Sequence, residues 1–363
     1  MASSGGTSTR RGATDFVASK WAKFFFLVVT LQALICVAFE AYVFGRSQTI
    51  LTNKNIDKNL SQTDQQRLDS QYKTIPTFLA LFIFGFLYVL LLTWDALRMK
   101  NTIQIIGLCV ANLALLVYTI LQIDQINTSL DRLQVAGVID RDINVWEKTQ
   151  PFLIAIPAII GVATLALAYF AYQLYCEFAW DILKHIGADY RMKKRFLHYQ
   201  IFIALLKFDF FFFLGFTVQF LVIVQGKTDL EFALTTAAIP VTIAILVFAA
   251  FFTQRENKFG MVCIILLYFG GLAYFFFKLV RIYQPGKSVN YEAVKRSLTA
   301  FAVLTIVLII CTIINAFICM NNFGAGLKGH LVRPKGQDPE KEDANSYQLQ
   351  DSKPQLPSRM TID

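Results

Sequence analysis

The chain has 363 residues, of which 55% are hydrophobic and only 16% charged, with a formal net charge of +9 and a mean hydropathy of +0.49. Soluble domains carry about 25% charged residues, so this composition excludes an ordinary soluble enzyme or binding module. The apolar residues fall in long blocks parted by polar loops, a pattern that calls for lipid as the solvent.

A hydrocarbon core of about 30 Å takes about 20 apolar residues in a helix. Eight blocks qualify: Lys23–Phe44, Ile75–Leu97, Thr102–Ile123, Phe152–Tyr175, Tyr199–Val224, Phe232–Phe252, Phe259–Val280 and Leu298–Met320. Lipid offers no partner to an unpaired backbone group, so helices are expected. The ten-residue alternation of a membrane barrel is absent. The fold class expected is an all-α polytopic membrane protein with about eight transmembrane helices. Residues 1–22 form a polar cytosolic N-terminus, 23–320 the eight-span domain and 321–363 a disordered cytosolic tail, too polar to bury a core.

In chain order, residues 1–20 are polar, and the first block is too long for a cleavable signal, so it reads as a signal anchor. Short basic loops belong on the cytosolic side. Arg98 and Lys100, the cluster from Lys184 to Arg195, then Arg255 and Lys258 place both termini in the cytosol. The opposite loops hold two glycosylation sequons, at Asn59 and Asn127. Spans two and four end alike, in TWDALRMK (Thr93–Lys100) and AWDILKHI (Ala179–Ile186). Trp94 and Trp180 suit the interface belt, while Asp95 with Arg98 and Asp181 with Lys184 can pair at i, i+3. Pro157 and Pro240 should kink spans four and six. Gly270-Gly271 in span seven permits close packing or a bend.

Two stretches echo each other. FFFLVVTLQALICV (Phe24–Val37) and FFFLGFTVQFLVIV (Phe211–Val224) share three Phe, Leu, Thr, Gln and Leu. IPTFLALFIF (Ile75–Phe84) answers more faintly to IPVTIAILVF (Ile239–Phe248). These are the marks of a duplicated four-span unit, a 4+4 parallel repeat about an axis along the membrane normal.

Intramembrane charge points to function. Glu40, Glu177 and Lys278 lie near block ends and can reach the interface. Lys207 and Asp209 sit within span five, beside the aromatics Phe210–Phe213, which read as lipid-facing. Two residues apart, they point to different sides of the helix, so each needs its own partner. Three readings stand open for them: markers of the water boundary, a structural polar contact, or a transport site.

The six cysteines lie in or beside the spans, which implies no disulfide framework and no zinc spacing. No HExxH, GxSxG or phosphate-binding loop occurs, so no catalytic residue, metal or cofactor is expected. Partners expected are the lipid bilayer and proteins reached through the cytosolic tail, not nucleic acid.

The pieces YxxYCEFxWxxxKxIGAD and LLKxDxFFFxGFxxQ within Ala171–Phe220 resemble the fungal multi-pass Golgi apparatus membrane proteins, a family of uncharacterised function. The resemblance implies a Golgi location and a fungal setting, and brings no activity. The reading is a non-enzymatic membrane protein of the Golgi and secretory pathway in a scaffold, sorting or membrane-homeostasis role. The alternative is a small-molecule or ion transporter using Asp209 and Lys207.

Overall fold

A computed structural model describes residues 19–51, 62–135, 145–186, 190–224, 229–284, 291 and 294–324. Among them run eight helices: α1 Lys20–Leu51, α2 Gln62–Arg98, α3 Thr102–Val135, α4 Val145–Ile186, α5 Tyr190–Ile223, α6 Asp229–Gln254, α7 Lys258–Tyr283 and α8 Lys295–Asn321. All eight are long and apolar enough to cross a membrane. Several overrun their blocks. α4 has 42 residues, about 63 Å of helix at a rise of about 1.5 Å per residue, so it extends well past the hydrocarbon. The prolines Pro76, Pro151, Pro157 and Pro240 all lie inside continuous helices.

The helices pack as two quartets. α1 lies against α2 and α4, and α3 against the same two; α5 lies against α6 and α8, and α7 against the same two. The quartets meet where α5 touches α2 and α3, and where α8 touches α3. The turns repeat as well. At Met99–Lys100–Asn101, three backbone N–H groups bond to the carbonyls of Asp95, Leu97 and Ala96. At Arg255–Glu256–Asn257 they bond to those of Phe251, Thr253 and Phe252, in the same order. Both middle residues hold positive φ, Lys100 at 50° and Glu256 at 52°, the left-handed helix terminator usually given to glycine. Both turns then use Asn to start the next helix: the Oδ1 of Asn101 accepts from the N–H groups of Ile103 and Gln104, and that of Asn257 from Gly260. The two halves thus share neighbour order and turn chemistry.

Helix α5 is the hub. In its most apolar stretch 61% of residues are buried, against 11% in α6. This revises the expectation for the phenylalanine run. Phe211, Phe212 and Phe213 are buried between helices rather than turned to lipid. Phe211 stacks on Phe84 and Tyr88 of α2, and Phe212 meets Phe301 of α8. The lipid face is carried instead by side chains such as Leu27, Leu31 and Leu34 on α1 and Val162 and Leu165 on α4.

Small residues let the aromatics in. A Cβ added at Gly107 would lie 2.5 Å from the Phe208 ring, and one at Gly215 would lie 2.5 Å from the Phe301 ring. Gly270 and Gly271 differ: an added Cβ would meet nothing within 4 Å. Of the two uses expected from sequence, close packing or a bend, close packing is not what they serve; they leave space. Gly215→Ala should therefore cost about 1–3 kcal/mol by overpacking, seen as a lower melting temperature in detergent. Gly270→Ala should leave that temperature unchanged or raise it, since Ala favours a helix by about 1 kcal/mol over Gly.

Candidate functional site

Helix geometry separates the two charges of α5. Lys207 faces the first quartet. Its Nζ is paired with the Asp95 carboxylate and donates to the Gln104 Oε1 at 3.0 Å. Gln104 Nε2 donates in turn to Asp95 Oδ2 at 3.0 Å and to the Leu92 carbonyl at 2.9 Å. The Tyr88 hydroxyl donates to the Lys207 carbonyl at 2.8 Å. The pair retains side-chain exposures of 28% and 36%, so it sits at an edge with some access to water. Asp95 therefore serves α5 rather than Arg98, whose guanidinium lies over the Trp94 ring at 5.2 Å.

Asp209 faces the second quartet and is 4% exposed. Its Oδ2 accepts from the Tyr268 hydroxyl of α7 at 3.1 Å and from the Thr312 hydroxyl of α8 at 2.8 Å. Its Oδ1 is buried without a hydrogen-bond partner. Among the described residues no cation is paired with it. Thr312 lies nine residues before Asn321, and Tyr268 ten after Lys258. The carboxyl group is thus about 13–15 Å from those helix ends, close to half of a bilayer core of about 30 Å.

Asp209 stands in the wall of a partly open cavity of about 340 Å³ between α5, α6, α7 and α8. Phe213, Leu246, Leu267, Phe275 and Ile309 supply apolar wall, and Tyr268, Tyr274, Thr242 and Thr305 the few hydroxyls. Gly270 and Gly271 form a stretch of wall without side chains. At the seam between the quartets the space among Phe82, Tyr118, Phe212 and Phe301 is only about 40 Å³, while a more open groove of about 470 Å³ lies between α2 and α5.

The first quartet is closed by amides and a carboxylate. Gln32 Nε2 donates to Asn112 Oδ1 at 2.8 Å, and Asn112 Nδ2 donates to the Thr164 hydroxyl at 2.7 Å. Gln122 Nε2 donates to both oxygens of Glu40, at 3.0 and 3.2 Å. Glu40 is 1% exposed and Lys278 4%, so both are covered by neighbouring helices. Lys278 Nζ lies 3.7 Å from the centre of the Phe220 ring. Glu177 accepts from the Ser19 hydroxyl at 2.6 Å.

The remaining candidates scatter. Trp94 is exposed near the end of α2. Trp180 and Asp181 fall in the last turns of α4, and their side chains lie outside the described residues, as does Asn59. Asn127 is exposed on α3, which continues as helix to Val135. Among the described residues, no three His, Cys, Asp or Glu side chains gather as a metal site would need. The sequence reading missed Tyr268, Thr312 and the glycine wall. Inside an apolar block a Tyr or Thr reads as filler, and nothing local marks it as a partner of a residue on another helix.

The architecture defines a class: a polytopic α-helical membrane protein of two four-helix units, one with an internal cavity beside a lone buried carboxyl group. The sequence narrows this further. A UPF0658 Golgi apparatus membrane protein of Schizosaccharomyces pombe (strain 972 / ATCC 24843) is 34% identical over 328 residues, covering 85% of this chain and 89% of the relative. The chain belongs to that UPF0658 family of fungal Golgi apparatus membrane proteins. No family model matches the chain. No solved structure matches it.

The Lys207–Asp95 pair joins the two quartets near one end, and the more exposed Arg296–Asp124 pair joins α8 to α3 with side-chain exposures of 67% and 57%. A double-mutant cycle on Asp95→Asn and Lys207→Met, read by thermal unfolding, should give a coupling of at least about 1 kcal/mol. The same cycle on Asp124→Asn and Arg296→Gln should give about 0–1 kcal/mol. No coupling at the first pair would remove it as a tie between quartets.

Proposed function

We propose that this protein is a non-enzymatic Golgi membrane protein with a membrane-homeostasis role, exercised by holding a component of the bilayer in the second quartet. One observation carries the reading: an apolar cavity of about 340 Å³ with a single buried carboxyl group in its wall. Ligand sites are mostly apolar pockets of about 300–1,000 Å³ with a few placed polar groups. The lining holds no histidine, cysteine or second carboxylate beside Asp209, which favours binding over catalysis. Transport through both charges of α5 is the weaker reading, because Lys207 is engaged by Asp95 and Gln104 on the opposite side of the helix. Scaffold and sorting roles would rest on the loops and the cytosolic tail.

A diazirine-bearing single-chain lipid probe, photolysed with the purified protein, should label peptides of α6 and α7. Gly271→Phe, whose Cβ would meet nothing within 4 Å, should cut that labelling several-fold while the protein still folds and reaches the Golgi. Unchanged labelling would remove the cavity as the binding site.

The proposal includes a secretory-pathway glycoprotein with both termini in the cytosol, supported by the basic residues at the α2–α3 and α6–α7 turns. Asn59→Gln should abolish an endoglycosidase-sensitive mobility shift. Glycosylation at a sequon engineered between Lys184 and Arg195 would reverse the orientation.

A further inference from the structure

We propose that the occupant of the cavity is a single-chain membrane amphiphile with a protonated amine head, for which Asp209 is the counter-ion. The inference rests on the cavity reading and names its ligand chemistry.

Charge comes first. A buried carboxylate without a partner costs several kcal/mol, and lipid cannot lower that cost. The nearest basic residue in sequence, Lys207, is spoken for by Asp95. Lys278 lies ten residues along α7 from Tyr268, about 15 Å, with its ammonium against the Phe220 ring. No described residue supplies the countercharge, so the carboxyl group is either protonated or paired with a cation brought by the ligand.

Hydrogen bonding agrees. Tyr268 and Thr312 both donate to Oδ2, and Oδ1 has no partner but is covered by its neighbours, so a ligand donor reaches it only as the lining gives way. A hydroxyl head would fill that bond and leave the charge. An ammonium supplies an N–H and the countercharge together, and charge-assisted bonds are roughly twice as strong as neutral ones. The Tyr268 ring also lines the cavity, a surface of the kind cations favour.

The body follows from the walls. They are apolar, and about 340 Å³ equals roughly ten waters at about 30 Å³ each. That space takes part of one alkyl chain, whose remainder lies in the bilayer. Entry is sideways. Leu234 on α6 and Leu267 on α7 line the cavity and are 61% and 50% exposed toward the outside of the bundle. An amphiphile in the bilayer can slide between these helices with its tail leading or trailing.

The test uses full-length protein in detergent with tritiated octadecylamine, displaced by unlabelled octadecylamine or by 1-octadecanol at neutral pH. The amine should compete at least tenfold better than the alcohol of equal length. Asp209→Asn should bring the amine down to the level of the alcohol. Should that variant fail to fold, the amine–alcohol ratio in the unaltered protein decides alone. Equal competition by the two, with both lost in Gly271→Phe, would overturn the amine assignment and keep the cavity reading. Octadecylamine binding that survives Gly271→Phe unchanged would overturn both.

Discussion

Inside a lipid-embedded bundle a polar side chain has no water to turn to, so its partner must come from a neighbouring helix. That constraint places most of the polar groups in this protein. Gln32 of α1 finds Asn112 of α3, which finds Thr164 of α4. Glu40 finds Gln122, Gln219 of α5 accepts from the Ser297 hydroxyl of α8, and Lys207 finds Asp95. Each tie is modest, of the order of 1 kcal/mol, but each admits few alternatives. Together they fix which helix stands beside which.

Apolar packing does the rest without a hydrophobic drive between helices, since lipid tails are as apolar as leucine. What remains is close contact. The seam between the quartets is built from rings, with Phe208, Phe211 and Phe212 of α5 set against Gly107 of α3, Phe84 and Tyr88 of α2 and Phe301 of α8. Glycine at the receiving positions lets a ring approach the backbone, and dispersion contacts accumulate over its whole face. The ion pair at Lys207 then sits one residue from Phe208, so the polar tie and the aromatic wedge act on the same turn of helix.

Much of this was legible in the sequence. Span number follows from block length alone, because bilayer thickness sets a length that no loop can mimic. The quartet arrangement was foreshadowed by Phe24–Val37 against Phe211–Val224: Thr30 and Thr217 hold corresponding places, and each hydroxyl bonds the carbonyl four residues back. The divergence of Lys207 and Asp209 follows from their spacing. Their partners do not. Asp95 is 112 residues from Lys207, and Thr312 is 103 from Asp209, so no local pattern could pair them. The i, i+3 rule suggested Arg98 for Asp95, a choice that ignores the helix across the gap. Phe211–Phe213 read as lipid-facing because apolar side chains look the same whether they meet lipid or protein.

The contrast between quartets is the physical basis for a binding role. In the first, amides of α1 and α3 tie to each other and to Thr164 of α4, and Gln122 holds Glu40, while the buried Oε1 atoms of Gln122 and Gln125 have no partner. The second leaves α6 with its side chains largely outward and spends two glycines of α7 on open wall. An apolar void of this size inside a bundle forfeits the dispersion contacts its lining would otherwise make. In a membrane the penalty is removed when a tail from the bilayer fills the space. The lone carboxyl group of Asp209, held by two hydroxyls on one oxygen and none on the other, then decides which tails are retained. An empty cavity in water would tend to collapse; one open to lipid keeps its shape by being occupied, and its polar wall turns occupancy into selection.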